Sequence, residues 1–387
     1  MFKRLLENNL PESSFFLFGP RQVGKSTLLK TIDAALTIDL LNPQVQLAYS
    51  KNPNLLLEEI NARVKPGTII IDEVQKVPRL LDMIHLILEK FPKWRFVLCG
   101  SSARKLRHGS SNLLGGRAVY RSMHPLTREE LGSHFRLPYV LHYGSLPRIY
   151  SLLLENKFDQ ARDLLRAYTV AYLNEEIKAE ALVRNLGGFQ NFLDVAAAQF
   201  AEQINFSAIS RECQVSLSTV REYYSILEDT LIGFFLYPYL KSLRKRMSHS
   251  PKFYFFDNGV TRSILGTLQD ERLPVQYGRL FEQWVIQEIV RLNEYRQMDW
   301  KFNFWRTSHG AEVDLLISRG TTILYAVECK SSPHVSMADL SGLKSFHLRY
   351  PKISCYLVCP VDRPRVLDFV RVVSPEELLK TLQNERR

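Results

Sequence analysis

A four-residue apolar run, Phe15-Phe16-Leu17-Phe18, leads straight into Gly19-Pro20-Arg21-Gln22-Val23-Gly24-Lys25-Ser26, and Thr27–Ile32 continues with helical character. A strand, a glycine-bounded loop of fixed length and a helix in that order confine the start of this chain to a narrow set of α/β folds. The glycines let backbone N–H groups converge on phosphate oxygens, and the helix start adds a partial positive charge at the same place. In such a loop Lys25 reaches the β- and γ-phosphates, and the Ser26 hydroxyl takes one position on Mg²⁺. The turn Gly19, Pro20, Arg21, Gln22, Val23, Gly24, Lys25, Ser26 and Thr27 is therefore expected to hold ATP with Mg²⁺.

The second half of the same site lies further along. Thr68-Ile69-Ile70-Ile71 is an apolar strand that closes on Asp72 and Glu73. Asp72 is placed to hold the metal through water, and Glu73 to polarise the attacking water. Phe96-Val97-Leu98-Cys99 ends in Gly100-Ser101-Ser102, where Ser101 or Ser102 would sense the γ-phosphate; Gly-Ser-Ser also makes an ordinary turn. Strands are expected at Phe15–Phe18, Leu36–Leu40, Thr68–Ile71, Arg95–Cys99 and Ala118–Met123, alternating with helices as a parallel sheet requires.

Taken together, Gly19…Lys25-Ser26, Ile71-Asp72-Glu73-Val74-Gln75, Leu98-Cys99-Gly100-Ser101-Ser102-Ala103, Leu114-Gly115-Gly116-Arg117 and His124-Pro125-Leu126 resemble the AAA+ ATPases that join this core to a C-terminal domain of unknown function. The resemblance covers nearly the whole chain. It implies a sheet in the order 5-1-4-3-2, hydrolysis of Mg-ATP and assembly into a homo-oligomer. It also implies an arginine finger, with Arg117 and Arg104 as the candidates and a plain surface role as the alternative for Arg117.

The expected organisation is an AAA+ core over residues 1–149, a helical lid over 150–203, a winged-helix region over 204–270 and an α/β region over 271–387. In the third of these, Ser207–Cys213, Gln214–Ser216 and Leu217–Leu227 read as helix, turn and helix, with Ser207 and Ser218 as caps. Ile209, Val215, Val220, Tyr224 and Leu227 would form its core, leaving Ser216, Ser218, Thr219 and Arg221 outside. The pattern resembles winged-helix units of DNA-binding proteins, and Arg244, Lys245 and Arg246 form a basic run where a wing would meet phosphate. Such contacts imply DNA affinity without base reading. Helix-turn-helix units also serve as protein-interaction modules.

Near the end, Ala311-Glu312-Val313-Asp314-Leu315-Leu316-Ile317 and Tyr325-Ala326-Val327-Glu328-Cys329-Lys330-Ser331 are apolar strands interrupted by charges at alternate positions. Alternation puts Glu312 with Asp314, and Glu328 with Lys330, on one face each. Carboxylates opposed across a hairpin beside a lysine suit a hydrated Mg²⁺, or a structural ion-pair cluster. With Glu282 on the preceding helix, the set resembles the PD-(D/E)XK nuclease superfamily and its restriction-endonuclease-like fold. That resemblance gives Asp314 and Glu328 as metal ligands, Lys330 as the group orienting water, and Glu282 as a support.

Composition narrows the setting. The chain has 387 residues and a net charge of +11, which favours polyanions or simply solubility. Five scattered cysteines, the lack of an N-terminal apolar run and the lack of a spanning segment point to a cytoplasmic protein with no membrane contact. The resulting expectation is an ATPase that remodels or translocates on DNA, including branched or broken ends. The alternative is an ATP-dependent signalling or defence switch whose C-terminal domains bind protein.

Overall fold

The computed structural model describes residues 2–63, 65–101, 114–173, 186–240, 250–270 and 274–385. Ser102, Arg104 and the basic run Arg244, Lys245 and Arg246 lie outside these residues.

The expected apolar runs form β1 (Phe15–Phe18), β2 (Leu36–Asp39), β3 (Thr68–Asp72), β4 (Arg95–Gly100) and β5 (Val119–Ser122). These five strands stand in the order β2-β3-β4-β1-β5, the 5-1-4-3-2 arrangement read in reverse. Every pairing is parallel. A parallel sheet is covered on both faces, so its strands are apolar without interruption. In β1 the side chains split by alternation: Phe15 and Leu17 join one core with Val23 and Leu28, whereas Phe16 and Phe18 join another with Ile69 and Ile71. Because β1 and β3 lie either side of β4, the loop after β1 and the acids closing β3 emerge at the same sheet edge.

Helices Leu137–Tyr143, Pro147–Leu154, Phe158–Ala167 and Leu186–Ala198 come next, and then the helix-turn-helix Phe206–Glu212 and Leu217–Asp229. Ile209, Val220, Tyr224 and Leu227 are buried as expected, and Val215 is half-buried. The caps differ from expectation. Asn205, not Ser207, accepts from the Ala208 N–H at 3.0 Å. Ser216, not Ser218, accepts from the Thr219 N–H at 3.1 Å. Each helix begins earlier than the serine chosen from sequence. Ser207 and Ser218 are already in the first turn, where the cap's extended backbone is lost.

The second sheet contains β6 (Gly233–Pro238), β7 (Lys252–Phe255), β8 (Trp300–Arg306), β9 (Glu312–Arg319), β10 (Thr322–Cys329), β11 (Ser354–Val358), β12 (Arg365–Leu367) and β13 (Val370–Val373). Its order is β12-β13-β11-β10-β9-β8-β6-β7. The antiparallel β6–β7 pair behind the helix-turn-helix is thus continuous, through β6 and β8, with the C-terminal strands.

The long helix Pro274–Arg296 touches β5, β10, the N-terminal 3₁₀ turn Leu5–Asn9 and helices Leu137–Tyr143 and Pro375–Asn384. Its buried polar side chains satisfy backbone groups at the ends of other elements, as buried polar atoms must. Gln283 accepts from the Phe255 N–H at 2.9 Å, and Arg291 donates to the Phe256 carbonyl at 2.9 Å. Among the described residues no helix is long and apolar enough to cross a membrane.

Candidate nucleotide site and the C-terminal carboxylate cleft

The loop after β1 turns tightly enough to present its N–H groups because Gly24 sits at φ 99°, a conformation that a side chain would strain. Helix Lys25–Leu29 starts immediately behind it. The Lys25 ammonium is buried and folds over the opening of the loop, donating to the Gly19 carbonyl at 2.6 Å and the Pro20 carbonyl at 2.9 Å. Ser26 Oγ lies 3.3 Å from Asp72 Oδ2. The loop and the end of β3 are therefore brought together as the spacing implied. These two oxygens converge from different elements and fit a Mg²⁺ ion carrying nucleotide phosphates, which Ser26 and Asp72 would hold.

Glu73 comes directly after and is buried in the left-handed region at φ 57° and ψ 44°. A residue with a side chain rarely adopts that conformation, and such strain concentrates at functional positions. The turn aims Glu73 at Ser101 on the end of β4. Gln75 Nε2 donates to Glu73 Oε2 and, at 3.2 Å, to Ser101 Oγ, whose hydroxyl lies 3.4 Å from the same carboxylate oxygen. Burial raises the Glu73 carboxyl above its ordinary value; Asp72 adds to this, and Lys25 and Arg21 oppose it.

Gln75 belongs to the quoted motif, but its role was not readable from spacing. Arg4 also went unassigned. Its buried guanidinium donates to the Val23 carbonyl at 2.5 Å, the His124 carbonyl at 2.6 Å and Glu130 Oε1 at 2.9 Å. Arg117 is half-exposed and held within its own chain, 2.9 Å from Glu89 Oε1 and 3.3 Å from His85.

On the helix-turn-helix, Ser218 and Arg221 are exposed and Thr219 is half-buried. The Ser216 hydroxyl pairs with those of Ser218 at 2.7 Å and Thr219 at 2.8 Å. The Arg221 guanidinium stacks 4.6 Å over the ring of Phe206.

In the C-terminal region the structure does bring Glu282, Glu312 and Asp314 together, around a group that sequence reading missed. Lys252 Nζ lies 3.1 Å from Glu282 Oε1, 2.6 Å from Glu312 Oε1 and 3.8 Å from Asp314 Oδ1. The only sequence signal was a lone charge in the run Pro251-Lys252-Phe253-Tyr254-Phe255-Phe256. Asp314 Oδ2 accepts from the Cys329 N–H at 2.8 Å. Burial, then the neighbouring Glu282, pushes Asp314 up to about 7 against the pull of Lys252. Burial and Asp314 likewise hold Glu328 well above the ordinary carboxylate range. Lys330 turns to Asp339 Oδ1 at 3.5 Å. Among the described residues no group of three or more His, Cys, Asp or Glu is arranged to hold a metal ion. The Lys252 ammonium thus stands among Glu282, Glu312 and Asp314, and Glu328 Oε2 is buried with no hydrogen-bond partner.

Three family models match consecutive stretches of the chain. An AAA domain covers residues 12–132, a domain of unknown function (DUF8612) covers 135–271, and a second (DUF4143) covers 277–378. Proteins described as uncharacterized from Mycobacterium bovis and Mycobacterium tuberculosis are each 25% identical in an alignment of 388 positions that covers 95% of this chain and 83% of theirs. The loop, the acid pair and the 5-1-4-3-2 sheet all fall inside the AAA match, and the other two models cover most of the remaining chain. The chain thus carries an N-terminal AAA domain joined to two C-terminal domains of unknown function.

Proposed function

We propose that this protein hydrolyses Mg-ATP at the Gly19–Ser26 loop and uses the turnover to move its middle and C-terminal regions on DNA, as a homo-oligomer. The observation that carries the proposal is the 3.3 Å approach of Ser26 Oγ to Asp72 Oδ2, with Glu73 buried beside them. Incoming phosphates would draw the Lys25 ammonium from the Gly19 and Pro20 carbonyls, and the loop N–H groups would hold the phosphate oxygens. Mg²⁺ bound there would neutralise charge on the β- and γ-phosphates. Glu73, steadied by Gln75 and Ser101, accepts the proton of the attacking water. Arg117 would act as a finger by exchanging Glu89 for a neighbouring subunit's nucleotide.

DNA engagement is supported by the net charge of +11, the exposed Ser218 and Arg221 of the second helix, and the basic run Arg244, Lys245 and Arg246. These groups suit phosphate contact of the sequence-independent kind. The second reading, a nucleotide-driven switch acting on protein partners, is favoured by Arg4, which joins the Val23 carbonyl of the P-loop at 2.5 Å to the Tyr295 hydroxyl of the long helix at 3.2 Å and needs no nucleic acid.

Phosphate release separates these ideas. Lys25→Ala and Glu73→Gln should each lower turnover by about 10²-fold or more, with Glu73→Gln still retaining ATP. Duplex, forked or single-stranded DNA should stimulate the parent protein. A parent rate indifferent to all three favours the switch, and unchanged turnover in Lys25→Ala removes the ATPase reading.

A further inference from the structure

The carboxylate cleft of the second sheet already contains a cation, and that cation is part of the chain. Lys252 is only 3% exposed and rises from β7, the outer strand of the hairpin behind the helix-turn-helix. Its ammonium reaches Glu282 on the long helix at 3.1 Å and Glu312 on β9 at 2.6 Å, with Asp314 at 3.8 Å. Three oxygens of the acids around it have further partners, whereas Glu328 Oε2 is buried with no hydrogen-bond partner. Glu282 Oε1 accepts from the Tyr254 hydroxyl at 2.6 Å, Glu312 Oε2 lies 3.1 Å from Arg306 Nη1, and Asp314 Oδ2 accepts from the Cys329 N–H at 2.8 Å.

Mg²⁺ requires oxygen ligands at about 2.0–2.1 Å in a near-octahedral shell and keeps several waters. A buried ammonium held by the same acids fills that space with three directed protons, and its charge repels a second cation. The lysine that the nuclease resemblance would assign to water, Lys330, is engaged with Asp339 at 3.5 Å. We propose that Lys252 is the resident cation of this cleft in place of a divalent metal, and that it fastens the β6–β7 hairpin to the long helix and β9. On this basis the C-terminal region does not cut phosphodiesters through metal-bound water, and its acids serve to hold the middle and C-terminal regions in one sheet.

The test is Mn²⁺ titration of the full chain by electron paramagnetic resonance without nucleotide, so that the P-loop lacks the phosphates its metal needs. Wild type should bind no Mn²⁺ that Asp314→Asn removes. Lys252→Met should gain one such site, and Mn²⁺ should raise its melting temperature by several degrees. An Asp314-dependent Mn²⁺ site in wild type overturns the proposal, as does a folded Lys252→Met variant that gains none. If Lys252→Met does not accumulate in folded form, the wild-type and Asp314→Asn titrations decide alone.

Discussion

Gln75 shows how a single side chain sets the geometry beside Glu73, the proposed base, without itself reacting. Its amide nitrogen donates to both Glu73 Oε2 and Ser101 Oγ, which ties the end of β3 to the end of β4. The close approach depends on Gly100: a Cβ there would lie 2.4 Å from Gln75 Oε1. The clash is with the far end of a flexible side chain, so Gly100→Ala should fold with little loss of stability and yet push Gln75 aside. Gln75→Leu removes the donor outright. Both variants are expected to lower kcat roughly 10- to 100-fold, the scale of a misplaced catalytic group, while ATP affinity stays within about three-fold of the parent. Single-turnover phosphate release alongside nucleotide titration checks this, and unaltered turnover in both would show that Glu73 is positioned by its backbone alone.

At the scale of elements, the helix-turn-helix gives a sharp stability test because its caps are not the serines its spacing suggests. Asn205→Ala and Ser216→Ala should each cost about 1 kcal/mol, because each leaves a helix-start N–H without its acceptor. Ser218→Ala should stay within about 0.5 kcal/mol, since its hydroxyl pairs with that of Ser216 at the surface. Denaturant unfolding of the three variants distinguishes the two sets of caps. The same contrast explains what was legible in the chain. The strands of the first sheet and the pairing of Ser26 with Asp72 could be read because apolar runs and loop spacing are local signals. Lys252, Gln75 and Arg4 could not, because their meaning comes from partners on other elements: Lys252 meets Glu312, far along the chain, in a sheet whose order no local pattern encodes. The caps were misread for a different reason, namely that several polar residues crowd each helix start and only backbone geometry selects among them.

Over the whole molecule, the P-loop and the C-terminal region meet at one buried guanidinium. Arg4 holds the Val23 carbonyl at 2.5 Å inside the phosphate loop and the Tyr295 hydroxyl at 3.2 Å on the long helix. The same hydroxyl accepts from the His124 N–H at 3.0 Å, just after β5. A cavity of about 110 Å³ lies alongside, lined by Gly19, Pro20, Met123, Val290 and Glu294. Nucleotide that reshapes the loop should therefore be felt at the long helix, and changes at the helix should return to the loop with equal coupling energy. Tyr295→Phe deletes the shared acceptor and strands the part-buried His124 N–H, at about 1 kcal/mol of stability. It should also weaken ADP binding several-fold, although Tyr295 is remote from the phosphates in sequence. Arg4→Met should weaken ADP binding as well, and the double variant should fall short of the summed effects by about 0.5–3 kcal/mol, the mark of residues in one network. If ADP affinities measured by calorimetry prove additive to within about 0.3–0.5 kcal/mol, the two residues act separately, and the long helix takes its signal from the nucleotide site by another route.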